Sequence, residues 1–86
     1  MIKMVSETIE LKKELDSRTI AKFQREASRK MRVKVFLKAR GQEASSKELF
    51  DILSLNLVPG ISVEIWVDGP GEGEILENLI KILLEA

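Results

Sequence analysis

The sequence contains no cysteine and no histidine. Without cysteine there is no disulfide framework, no thiolate zinc site and no thiol nucleophile. Without histidine the commonest general acid and base is missing, along with every Ser-His or Cys-His pair and every imidazole metal ligand. No apolar run approaches the ~18 residues that a membrane-spanning helix needs. Met1-Ile2-Lys3-Met4 does not lead into the apolar stretch of a signal peptide. Fourteen basic residues balance fourteen acidic ones, so a uniformly basic polyanion binder is excluded. These absences predict a cytoplasmic, non-enzymatic protein that uses no cofactor and no metal.

What is present suits one small core. The chain has 86 residues, 44% of them apolar, enough for a single domain spanning 1–86 and too few for two. The charge is unevenly spread. Residues 1–43 hold 12 basic and 6 acidic residues, and residues 44–86 hold 2 basic and 8 acidic, so the halves carry +6 and −6. Such asymmetry marks either a basic face with a purpose or two halves that neutralise each other within one fold.

Hydrophobic spacing predicts the elements. Val5, Ile9 and Leu11 fall on alternate positions and predict a strand, with Glu7 as an interruption. Asp16 and Ser17 are good N-cap residues for a helix whose apolar face is Ile20, Phe23, Ala27 and Met31. On that helix Arg18, Lys22, Arg25 and Arg29 fall within roughly 60° of one another, opposite Phe23 and Ala27. Val33, Val35 and Leu37 alternate with Lys34, Phe36 and Lys38 in a second strand. Arg40-Gly41 turns the chain into a short third strand near 42–44. Ser45-Ser46-Lys47-Glu48 reads as a capping box opening a short helix with Leu49, Phe50, Ile52 and Leu53. Ile61, Val63, Ile65 and Val67 alternate with Ser62, Glu64, Trp66 and Asp68, the clearest strand of all. A last helix runs from about Glu72 to Leu84, with Ile75, Leu76, Leu79, Ile82 and Leu83 inward.

The order is βαββαβα. It predicts an α+β fold, an open-faced β-sandwich with a four-stranded antiparallel sheet and three helices on one face. Alternation then sends Phe36 and Trp66 to the face without helices. Two readings follow for that face: a weak homodimer through the two rings, or a monomer shielded by the stems of Lys34, Lys38 and Glu64.

The order of elements and several motifs resemble HPr, the small phosphocarrier of the bacterial sugar phosphotransferase system. Lys47-Glu48-Leu49-Phe50-Asp51-Ile52-Leu53-Ser54-Leu55 is similar to the family's K-S-I-M-G-V-M-S-L. Ala27-Ser28-Arg29 resembles its A-S-K at the end of the first helix. Gly60, the strand of Val63, Ile65 and Val67, Gly69 and the run from Glu72 to Leu79 resemble its last strand and helix. The phosphorylation motif departs from the pattern. The family's G-[IL]-H-A-R-P-A corresponds to Glu14-Leu15-Asp16-Ser17-Arg18-Thr19-Ile20, so Leu15 and Arg18 match while Asp16 stands at the histidine and Thr19 at the proline. The family's regulatory serine falls on Glu48.

The resemblance implies a divergent HPr-like protein that cannot carry phosphate on histidine. It implies a regulatory or adaptor role, with protein partners of the phosphotransferase system or a transcription regulator, and no membrane. The implied partner-binding residues are Asp16, Ser17, Arg18, Lys22, Arg25, Arg29, Leu49 and Phe50. Several readings stay open. Asp16 is a helix cap, a one-charge mimic of the phosphorylated state, or both. Glu48 is a capping partner or a phosphoserine mimic. Phe50 is core or docking contact. The basic stripe is a solvated face, a dock for an acidic protein such as Enzyme I, or a grip on nucleic acid, for which no aromatic platform speaks. The alternative function is therefore a binding module using the basic helix on nucleic acid or another acidic surface.

Overall fold

The computed structural model describes residues 4–84, apart from the side chain of Leu49. The elements are β1 (Met4–Glu10), α1 (Ser17–Ala27), β2 (Lys34–Ala39), β3 (Gln42–Ser45), α2 (Leu49–Ser54), β4 (Ser62–Asp68) and α3 (Glu72–Leu84). The four strands form one antiparallel sheet in the order β1-β4-β2-β3. Among the described residues no helix is long and apolar enough to cross a membrane.

Alternation decides which face is covered. Val35 pairs with Val67, and Leu37 pairs with both Ile65 and Ala44; all five are buried. Val5 and Ile9 lie opposite Val67 and Val63 on the same side. Against this face pack Phe23 and Ala27 of α1, Ile52 and Leu55 at α2, and Ile75, Leu79 and Leu83 of α3. The three helices thus cover one face, as the pattern predicts. Leu76 and Ile82 are half-buried against the core.

The β2–β3 hairpin closes on Arg40-Gly41, both with positive φ (51° and 78°). Two such residues make the turn whose twist matches antiparallel strands. Arg40 is an unusual occupant of that conformation, and its Nη2 donates to the carbonyl of Asn56 at 3.0 Å, tying the turn to the end of α2.

Three expectations need correction. Met31 is 97% exposed rather than part of the apolar face. The helix stops at Ala27, and Ser28 leaves helical geometry while its N–H bonds Gln24 O, so the spacing from Ala27 to Met31 no longer has a helix to run on. Arg29 is off the helical stripe for the same reason. Its guanidinium lies 3.1 Å from Glu26 and 3.3 Å from Glu74 of α3, so its charge is answered within the fold. The capping box does not form. Ser45 stays in β3 opposite Phe36, and Ser46 N–H bonds Val35 O, so sheet pairing holds the segment extended. The helix begins only at Leu49, with Glu48 in the cap position and its side chain making no cap bond.

Candidate functional site

Asp16 opens α1. Its backbone is extended (φ −87°, ψ 174°), and Oδ1 accepts from Thr19 N–H at 2.9 Å and Thr19 Oγ1–H at 3.0 Å. One carboxylate oxygen thus satisfies a backbone donor that the helix leaves free. The Thr19 backbone bond, then the Thr19 hydroxyl, hold the carboxyl below its ordinary value of 3.8, with the Arg18 charge assisting. Ser17 and Arg18 follow as exposed first-turn residues, while Thr19 and Ile20 turn inward.

A shallow apolar groove starts at this helix end. It is lined by Leu15, Ser17, Ile20, Ala21, Gln24 and Leu53, joining α1 to α2. A second hollow shares Leu15, Ile20 and Leu53 and reaches Val58. Gln24 Nε2 donates to Ser46 O at 3.1 Å and pins α1 to the segment entering α2. On α2 two apolar stripes compete. Ile52 and Leu55 take the core, which leaves Phe50 81% and Leu53 51% exposed, three positions apart on one face.

The structure therefore brings Ser17, Ile20 and Ala21 of α1 and Leu53 of α2 together around one groove, with Asp16 in sequence between its lining residues Leu15 and Ser17. Arg18, Lys22 and Arg25 form an exposed row about 100° round α1 from Ser17, Ala21 and Gln24. None of the three is ion-paired among the described residues. Arg29 stands apart with its two carboxylates. The backbone of Leu49 begins α2, and its side chain lies outside the described ones. Sequence reasoning missed Leu53 and Val58 as surface. The signal was in the spacing: Phe50 with Leu53 and Ile52 with Leu55 cannot both face inward on one short helix.

The family model described as the PTS HPr component phosphorylation site matches residues 5–85. The phosphocarrier protein HPr of Vibrio cholerae is 33% identical over 69 residues, covering 80% of each chain. Among solved structures, a phosphocarrier protein HPr from Bacillus anthracis superposes with a TM-score of 0.83 at 27% identity, over 93% of this chain and 96% of that one. Crh, the catabolite repression HPr of Bacillus subtilis, gives a TM-score of 0.69 at 30% identity, over 95% and 99%. The first two are named as phosphocarrier proteins and the third as a catabolite repression HPr. With the fold, the strand order and the helix end at Asp16 already in place, the chain belongs to the HPr family of the phosphotransferase system.

Proposed function

We propose that this protein is a regulatory adaptor that docks where HPr docks and passes no phosphoryl group. The observation that carries the reading is the Asp16 carboxylate capping α1, at the position corresponding to the family's histidine, in a chain with no histidine anywhere. A phosphoryl group on an imidazole needs that ring nitrogen, and phosphorylating a carboxylate instead generally takes a bound Mg²⁺, for which the described residues hold no cluster of acids. What the carboxylate supplies is a standing negative charge at the amino end of a helix, beside Arg18 and one residue from Ser17, which shares a groove with the exposed Leu53 of α2. That combination presents a docking surface with one charge where a phosphorylated carrier holds about two.

The test is phosphotransfer from phosphoenolpyruvate through Enzyme I. No acid-labile phosphoryl-protein forms, yet the protein competes with HPr for Enzyme I. Phosphoryl transfer to the unmodified chain, or absence of competition at any concentration, overturns the reading. Asp16→His gains partial acceptance, because Arg18 and the helix start are retained.

A further inference from the structure

The helix-free face of the sheet has an ordered charge pattern. Phe36 of β2 and Trp66 of β4 lie directly opposite each other at its centre. Both are half-buried. The indole nitrogen is shielded by its own chain, so what Trp66 shows to solvent is carbon. On either side of the rings, Lys34 lies opposite Asp68, and Lys38 lies opposite Glu64. The β2 column therefore reads Lys34, Phe36, Lys38, and the β4 column reads Glu64, Trp66, Asp68. Among the described residues none of these four charges is in an ion pair within the chain, and Lys38 Nζ instead sits 4.9 Å from the Trp66 ring centre.

We propose that this face binds a second copy of the same chain, about a two-fold axis running parallel to the strands between β2 and β4. That rotation lays the β2 column of each copy on the β4 column of the other. Phe36 meets the second copy's Trp66, Lys34 meets its Asp68, and Lys38 exchanges the ring for its Glu64. A two-fold axis perpendicular to the strands sets lysine against lysine and acid against acid, so charge selects one arrangement. Sheets stack face to face about 10 Å apart with strands roughly aligned, which this rotation permits. Four strands at ~4.8 Å and five paired positions at ~3.3 Å give a footprint of about 300 Å² per copy, well below the ~800 Å² of a standard interface. The association is accordingly weak, with Kd roughly 10⁻⁵–10⁻³ M. The helices lie on the opposite side, so each copy keeps the groove between α1 and Leu53 free, and the dimer presents two such grooves facing away from each other.

The test is sedimentation velocity with Trp66 emission, run on the full chain from ~5 µM to ~1 mM. Trp66 is the only tryptophan. Expected is a monomer–dimer transition with a blue shift of the emission along the same curve. Lys34→Glu weakens the dimer about tenfold or more by setting like charges together, and Lys34→Glu with Asp68→Lys restores it to within about threefold. Phe36→Ser abolishes association while circular dichroism shows the fold kept. A monomer at the highest concentration with unchanging emission overturns the proposal. So does a dimer that survives Phe36→Ser, or a charge exchange that fails to restore it.

Discussion

Replacing Phe50 with alanine separates docking from folding on α2. About a fifth of Phe50 is covered in the fold. A phenylalanine buries ~150–250 Å², so its covered part is about 40 Å². At ~25 cal/mol per Å², Phe50→Ala costs at most about 1 kcal/mol of stability. Its neighbour Ile52 is 2% exposed in the core, and Ile52→Ala costs about 2–5 kcal/mol. In a domain of this size the Ile52 change lowers Tm by at least roughly 10 °C, and the Phe50 change by several degrees at most. Binding reverses the order. The uncovered four-fifths of the ring, about 160 Å², is free for a partner, and aromatic anchors typically contribute ~2 kcal/mol or more. Calorimetric titration against Enzyme I should therefore show Phe50→Ala weakened at least ~30-fold at nearly unchanged stability. If Phe50→Ala destabilises as Ile52→Ala does, or binds Enzyme I with full affinity, the assignment of this face is wrong.

Three further outcomes are expected. Asp16→Asn lowers Tm at neutral pH; because the folded carboxyl titrates below 3.8, the advantage of Asp16 is present in full above about pH 5 and disappears as pH falls through the folded value, so paired melting curves of the two proteins converge in acid. Gly69→Ala costs about 2–5 kcal/mol in urea unfolding, because φ is +135° and the new Cβ lies 2.6 Å from Arg32 O, whereas Gly41→Ala, at φ +78° with open space around it, costs about 1 kcal/mol; equal midpoints refute the steric account. Glu48→Ala leaves the free energy of urea unfolding within ~0.5 kcal/mol of the parent, since its side chain makes no cap bond, and a larger loss shows that a cap forms in solution.

Much of the fold was legible because alternation is a strong signal in β2 and β4. Val35, Leu37, Val63, Ile65 and Val67 are all buried, and placing them fixes Phe36 and Trp66 on the other face without further information. The bounds of α3 follow from its long apolar period. Local signals failed where a longer-range interaction competed. Ser45 to Glu48 is a sound capping box by itself, but the bonds of β3 to β2 engage Ser45 and Ser46 first. The end of α1 was invisible because the apolar spacing continues through Met31 after the backbone has turned at Ser28. The groove at Asp16 was half legible. The cap could be read from residue type, but its floor of Ile20, Ala21 and Leu53 depends on how α1 and α2 meet.

The charge asymmetry between the halves is resolved by topology. The sheet order places β2, from the basic half, beside β4, from the acidic half, and α1 lies against α3. Each neighbouring pair thus sets basic residues of the first half across from acids of the second: Lys34 and Asp68, Lys38 and Glu64, Arg29 and Glu74. On the helical side the Arg29 match is closed at hydrogen-bond distance. On the open face the matches are laid out across the strands but left unclosed, which is what makes them available to a second copy. Among the described residues Arg18, Lys22 and Arg25 have no such counterpart in the acidic half. They remain as a positive row beside the negative cap of Asp16, so a protein reading this corner meets both signs within one helix turn. That pattern favours an acidic protein surface with a basic group at the helix end over a uniform polyanion, for which Asp16 is a repulsive contact.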